Sequence, residues 1–443
     1  MIEPVHLALE FLVKNGETPV AIRFHKKEAF DIYLHDHVVE VGLKSPMTPQ
    51  ALREAHKKIG AFLREKKIDE VYLPEINGDL ETQLYALFEG NYRFERYFSE
   101  KSVFLKRLYL DALPKNVAEI LNVLNAQFMI KELLSTRYQD RKVADFVDYA
   151  KKLLHKIPNI ELTVHDHRWL KKEGFHLHHA VGQGSETSDP PALLIIEYKG
   201  AASSQPAIGL VGKGMVFDTG GYSLKPSDGM LDMFVDCAGA VLYLHLAYLL
   251  AQLKVKKNVI FALPIADNSI SSQAYRVSDV LVGRSKKSVE ITNTDAEGRL
   301  ILADSVAYMS EKFDLSCLVT AATLTGAVIV ALGTKMAGLF SDNKTLRTHL
   351  LNAAEETQEP LWSLPFDKDS FMDLLKSEVA DMKNAGKREA SATQGAVFIY
   401  QHHMNDQIPF AHLDIAGPTS EKSAGTAYGL RLLLEFVTEW KSS

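Results

Sequence analysis

Cysteine is almost absent from this chain: Cys237 and Cys317 are the 2 among 443 residues. Both sit in apolar surroundings and are expected to be buried thiols of a reducing compartment. The 16 histidines include no H-E-x-x-H. Clusters such as His165-Asp166-His167, His176-Leu177-His178-His179 and His402-His403 lack a second ligand group at a spacing with known mechanics, so they are expected at the surface or in packing. There is no G-x-x-x-x-G-K-[ST] and no G-x-G-x-x-G opening a helix, which weakens any nucleotide reading. With 50 Lys+Arg against 56 Asp+Glu, the net charge of -6 argues against a general nucleic-acid footprint. No apolar run looks long enough to span a bilayer, and Met1 to His6 lacks a basic segment with an apolar core, leaving a cytoplasmic location as the default. Internal repeats and low-complexity tracts are missing too.

What is present is a globular composition, 46% hydrophobic and 24% charged, in a chain long enough for two domains. Residues 1 to about 112 alternate short apolar strands (Val20 to Phe24, Val38 to Leu43, Val71 to Leu73, Val103 to Leu108) with helical patterns at Pro49 to Glu65 and Leu80 to Phe88. Two helices, Asn116 to Leu134 and Val143 to Lys156, follow, parted by the charged stretch Arg137 to Lys142. From Ile160 onward, apolar strands such as Ala192 to Glu197, Val259 to Leu263 and Leu315 to Ala321 alternate with helices. The expected fold is α/β in two domains: a small N-terminal α/β domain with linker helices over residues 1–158, and a larger domain over residues 159–443. The larger one should carry a mixed, mostly parallel sheet flanked by helices on both faces, with its site at strand ends.

Asn293-Thr294-Asp295-Ala296-Glu297-Gly298-Arg299-Leu300 places two carboxylates one residue apart and then a fixed cation before an apolar helix. Val289 to Thr292 reads as a short strand, and if extended chain continues, Asp295 and Glu297 converge on one side. Gly298 would then allow the turn into the helix. Clustered carboxylates suit divalent cations. An Asp that caps the helix and a Glu in its first turn explain the same letters equally well.

A second cluster lies upstream. The apolar run Ala207 to Val211 reads as a buried strand ending in a glycine-rich loop, Gly212-Lys213-Gly214 through Asp218-Thr219-Gly220-Gly221. Lys225, Asp232 and Asp236 follow, the last just before the nearly all-apolar helix Ala238 to Leu253. Asp236 is either a ligand or an acid of the kind helix N-termini attract.

Together these segments resemble the leucyl (cytosol) aminopeptidase family. Val211 to Met230, Asp236 and Asn293 to Leu300 carry the likeness, with further blocks at Thr323-Leu324-Thr325-Gly326-Ala327 and His412-Leu413-Asp414-Ile415-Ala416-Gly417. It runs in order from about Phe175 to the C-terminus. The resemblance implies two divalent metal ions, zinc or manganese, sharing Asp218 and Glu297. One ion would also be held by Lys213 and Asp236, the other by Asp295. Lys213 would have to be neutral to act as a ligand. Lys225 and Arg299 would flank the reacting carbonyl, Arg299 holding a bicarbonate that serves as general base. Met233, Thr323 and Gly326 match positions lining the first side-chain pocket, where a Met wall with small partners favours leucine, although each suits a core position as well.

The implied activity is removal of N-terminal residues from peptides with a free amino end. Two cations would lower the pKa of a bridging water until a hydroxide nucleophile exists near neutral pH. Lys225 would stabilise the oxyanion, and Arg299 would position the group that shuttles a proton. Family members assemble as hexamers, so a homohexamer is expected, without membrane or nucleic-acid partners. The ligand set alone would also allow another two-metal hydrolase such as a phosphoesterase, and a binding or regulatory protein with secondary peptidase activity is the third alternative. Two stretches depart from the family pattern: Ser135 to Asp140 stands where many members have Asn-x-Pro-x-Asn, and Lys387-Arg388-Glu389-Ala390-Ser391 replaces a common Gly-Arg-x-Gly-Gly. Both bear on loop shape, hexamer contacts or substrate range.

Overall fold

The structure, a computed structural model, describes residues 2–7, 9–14, 20–27, 30–44, 48–74 and 80–441. The chain forms two compact units, Val5–Met129 and Ile130–Ser443 together with Met1–Pro4. The division expected after residue 158 therefore falls inside the larger unit. The reason is the helix Val143–Leu153, whose buried face of Val143, Phe146, Val147, Ala150 and Leu153 packs on the larger unit's strands.

The smaller unit is a six-stranded sheet in the order Glu10–Val13, Arg107–Leu110, Glu70–Tyr72, Ala21–Lys27, Val38–Lys44, Asp31–His35. All pairs are parallel except the hairpin of Asp31–His35 with Val38–Lys44, whose turn holds Asp36 and His37 at positive φ. The sequence reading missed both edge strands, which alternate too weakly to announce themselves. It also started the strand at 103 too early.

The larger unit is built on a nine-stranded mixed sheet. Four parallel strands form its centre, in the order Phe410–Asp414, Leu315–Ala322, Ala207–Gly212 and Asn258–Asn268. Ala192–Lys199 runs antiparallel beside the last, and Gly214–Asp218 pairs with that strand's far end. Apolar runs buried on both faces are what a parallel sheet demands. The helix Ala238–Leu253 covers one face, and Gly298–Lys312 covers the other with Ser391–Gln401 and His176–Gly182 packed against it. The stretch Ser227–Leu253 has the length and mean hydropathy of 1.7 that a bilayer span would need, contrary to the sequence reading, but 94% of its apolar window is buried in the protein, so it is a core helix.

Two sequence expectations change here. Ala207–Gly212 does not give way to a loop: the chain breaks only at Lys213 and continues extended to Asp218. Downstream, extended structure stops at Glu290, so residues 291–297 approach the helix as an irregular segment, not a strand.

The charged stretch read as a separator contains Arg141, which is completely buried. Its guanidinium donates to the carbonyls of Leu133 and Leu134 at 2.9 and 3.0 Å, to that of Val216 at 3.3 Å, and to that of Phe234. It thus ties a helix C-terminus, where a cation is favoured, to the strand bearing Asp218 and the turn bearing Asp236. Arg141→Ala is expected to lower unfolding stability by about 3 kcal/mol through the carbonyls it strands. That would appear as a lower urea midpoint with an unchanged slope, and Arg141→Lys should recover only part of it. Ala390 occupies the left-handed region at φ 53°, just before the helix Ser391–Gln401. Ala390→Gly should therefore raise stability by up to ~1 kcal/mol, the reverse of the usual effect of inserting glycine.

Candidate metal centre

Four buried side chains meet where the central strands end. Lys213 stands at the break after Ala207–Gly212 and is 2% exposed. Its backbone N–H donates to Ala321 at 3.0 Å and its carbonyl accepts from Ala240 at 2.8 Å, fixing the residue between a neighbouring strand and the first turn of the helix Ala238–Leu253. The ammonium reaches Asp236 Oδ1 at 2.7 Å, Glu297 Oε1 at 2.8 Å and the Thr323 carbonyl at 3.1 Å. Burial alone would pull this lysine's pKa down, but Asp236, Glu297 and Asp218 outweigh it and hold the amine protonated. Gly298 makes the approach possible. A Cβ there would lie 2.6 Å from Lys213 Cε and 2.8 Å from its Nζ, so this glycine opens space for a side chain rather than enabling a turn.

Asp218 closes the strand Gly214–Asp218. Its Oδ1 accepts from the Gly220 N–H at 2.8 Å and from Asn268 Nδ2 at 2.7 Å, while Oδ2 faces Lys225 Nζ at 2.8 Å. Asp236 Oδ1 also accepts from Thr323 Oγ1 at 2.7 Å, yet its Oδ2 is buried with no partner. Burial, only partly offset by Lys213, pushes the Asp236 pKa up to about 8. Glu297 stands at the N-cap of Gly298–Lys312 without bonding the helix through its side chain. The helix-cap reading fails here, since Asp295 likewise turns to Lys225, whose ammonium it shares with Asp218.

Asp218, Asp236 and Glu297 each offer an oxygen within 4.8 Å of the others. Asp295 lies just outside this trio, joined to it through Lys225, and is partly exposed. Burial raises its pKa, with Glu297 adding to the effect. Four carboxylates against two ammonium groups leave the centre net negative, and one buried oxygen without a donor awaits a positive charge. Hard oxygen donors with an amine are the chemistry of a divalent-cation site.

Arg299 is buried one helical residue beyond Gly298. Its Nη1 donates to the Asn384 carbonyl at 2.7 Å and its Nε has no partner. Burial lowers its pKa to about 10, opposed by Glu297 and Asp414. Thr323 faces the acids, so its hydroxyl orients Asp236 instead of lining a pocket alone. Met233 is half-buried and opens the turn leading to Asp236. Gly326 has open space where a side chain would point. Asp232 is exposed and takes no part.

Sequence reasoning missed Asn268, Thr294 and Asn384. Asn268 clamps Asp218 and also donates to the Thr294 carbonyl at 3.0 Å. Thr294 Oγ1 donates to Gly220 at 2.6 Å and accepts from the Ser223 N–H at 2.8 Å, joining the loops that carry Asp295 and Lys225. Asn384 Oδ1 accepts from the Thr292 N–H at 2.9 Å, and Nδ2 donates to the Asn293 carbonyl at 2.7 Å. A polar pair, Asp267-Asn268, ending an apolar strand was a usable signal; a lone asparagine 91 residues from Asn293 was none. The histidines serve packing: His178, His402 and His412 are buried and held neutral by burial, with His178 on the Ile265 carbonyl and His412 on Thr320. Cys237 and Cys317 are free and buried.

A mixed α/β sheet carrying such a lysine and carboxylate cluster at its strand ends fits a metal-dependent hydrolytic enzyme. Residues 128–434 match the cytosol aminopeptidase family, catalytic domain, and the chain belongs to that family. It is 33% identical to a probable cytosol aminopeptidase of Chlamydia caviae over 91% of this chain and 85% of that protein. It is 35% identical to one of Syntrophotalea carbinolica over 80% of this chain and 74% of that protein. Among solved structures, the bottromycin maturation enzyme BotP in complex with Mn superposes with a TM-score of 0.84 at 26% identity, covering 95% of this chain and 99% of BotP. A leucyl aminopeptidase of Leishmania major shares the fold at TM-score 0.82 and 24% identity, over 97% and 86%. The chain is a metal-dependent aminopeptidase of the metallo-exopeptidase class.

Gly298→Ala should displace the Lys213 amine without unfolding the helix, because alanine is the better helix former. The expected result is a folded protein with a lowered melting temperature, because the buried Lys213 ammonium loses its partners, and at least about tenfold weaker binding of the first Mn²⁺ by calorimetry; unchanged metal affinity would contradict the packing argument.

Proposed function

We propose that this chain removes leucine-like residues from the free amino end of peptides, with Asp218 and Glu297 shared between two divalent cations. Lys213 and Asp236 would complete one cation's shell and Asp295 the other's. The buried trio of Asp218, Asp236 and Glu297, with the Lys213 amine threaded past Gly298, is the observation that carries this reading. The bound cations supply Lewis-acid polarisation of the scissile carbonyl and activation of water. Lys213 would serve as a ligand in its neutral form, which neighbouring dications would favour.

Lys225, tethered to Asp218 and Asp295, donates to the carbonyl oxygen as negative charge grows there. Arg299, whose Nε has no partner, holds a small oxyanion, bicarbonate in this reading, with its forked guanidinium and so places a base near the leaving amine. Met233 and Gly326 frame the side-chain pocket, with Thr323 at its inner edge. Zinc and manganese both suit oxygen and amine donors, and availability decides between them. A homohexamer in the cytoplasm completes the reading; the names of the relatives support the location.

Release of leucine from leucinamide with added manganese or zinc tests the reaction, run beside N-acetyl-leucinamide and a phosphodiester. Only the free-amine substrate should be cleaved; activity on the blocked substrate, or none on leucinamide, would sink the reading. Lys225→Ala should lower kcat roughly 100- to 1000-fold, the loss typical of one oxyanion donor, while bound metal stays near wild type by elemental analysis.

A further inference from the structure

Beside the centre lies an open cavity of about 480 Å³, walled by Ser223, Thr292 and Asn293 on one side and by Lys383, Ala385, Gly386 and Lys387 on the other. The first wall belongs to the catalytic loops. Ser223 precedes Lys225 by two residues and Asn293 precedes Asp295 by two, its Oδ1 accepting the Asp295 N–H at 2.8 Å. The second wall is held rigidly. Asn384 turns its side chain into the 292–296 loop, the Gly386 N–H donates to Gln394 Oε1 at 3.0 Å, and Gln394 Nε2 donates to the Lys387 carbonyl at 2.9 Å.

Lys383 and Lys387 line this cavity and no acidic side chain does. Two cations on a stiff frame stand out beside a net-negative centre in a chain of net charge -6. The wall also lies on the side of Arg299, whose Nη1 donates to the Asn384 carbonyl. In the proposed reaction Arg299 serves the leaving amine, so this side receives the peptide beyond the scissile bond.

We infer that the cavity binds a carboxylate on the leaving-group portion of the peptide, recognised by Lys383 and Lys387. The carboxylate is supplied either by the chain terminus of a short peptide or by an acidic side chain. This rests on the aminopeptidase reading of the centre and adds a preference for short or acidic peptides to it.

The test compares pairs that differ only in that carboxylate, with manganese-loaded wild type: Leu-Gly against Leu-Gly amide, and Leu-Glu amide against Leu-Gln amide. The charged member of at least one pair should show roughly tenfold higher kcat/KM, the factor one charge-assisted hydrogen bond supplies at a partly exposed site. The gain should lie mainly in KM and shrink with added salt. In Lys383→Gln with Lys387→Gln the ratio within each pair, which is internal to one enzyme preparation, should fall to within about twofold. Preference in the first pair alone assigns the chain terminus as source; in the second alone, the side chain. Equal rates within both pairs in wild type, or a ratio that survives in the double variant, overturn the inference while leucinamide cleavage leaves the reading of the centre standing. Absence of leucinamide cleavage by wild type removes that reading and this inference together.

Discussion

Everything near the strand ends follows from placing one lysine ammonium in a water-poor interior. An unpaired charge there would be prohibitive, so Lys213 is met by Asp236 and Glu297 with Asp218 close by, and those acids in turn need a cation near them. The geometry then dictates which residues surround it. Gly298 must lack a side chain, and so must Gly239, where a Cβ would fall 2.1 Å from the Ala321 carbonyl and 2.7 Å from the Lys213 nitrogen. The helices Ala238–Leu253 and Gly298–Lys312 therefore bring their first turns to the break between two strands from opposite faces of the sheet. A sheet whose central strands are parallel offers a crevice at this end, and the lysine fills its floor.

Burial was the part of this arrangement written most plainly in the sequence. The helix Ala238–Leu253 and the strands at 207, 258 and 315 are apolar runs whose energetics depend on area, and area is additive along the chain. The motif around Asp295 to Arg299 was legible for another reason: its acids and arginine sit close in sequence as well as in space. What escaped were residues that act by direction instead of area. Arg141 looked like one charge in a polar stretch, yet it lies fully buried across four carbonyls from three segments. Asn268 and Asn384 hold the acids and the arginine in place from far along the chain, and a single amide carries no periodic signature. The strand expected over 289–292 ends at Glu290 because the next residues bond elsewhere: the Ile291 N–H donates to the Asp279 carbonyl, the Thr292 N–H to Asn384 Oδ1 and the Thr292 hydroxyl to the Ala385 carbonyl.

Buried carboxylates outside the centre show the contrast between a scaffold acid and an acid awaiting a ligand. Asp304 is as deeply buried as Asp236, and burial lifts its pKa to about 6, but its oxygens are filled by the N–H groups of Leu177, His178 and Arg284 at 2.8 to 3.0 Å. Asp414 is treated in the same way by Leu324 and Thr325. These acids staple loops, and each of their oxygens has a donor. Asp236 Oδ2 has none, which separates the two classes more cleanly than burial or charge does.

Asn384 has a consequence for how such an enzyme diversifies. Its side chain fixes the backbone of the 292–296 loop and its carbonyl anchors Arg299, while the residues on either side of it, Lys383 and Ala385, face the neighbouring cavity. One segment thus alternates between positions that hold the reaction's geometry and positions that meet the peptide. Substitution at the second set can rewrite which peptides enter without disturbing the alignment maintained by the first, so selectivity can drift over generations on a reaction core that stays put.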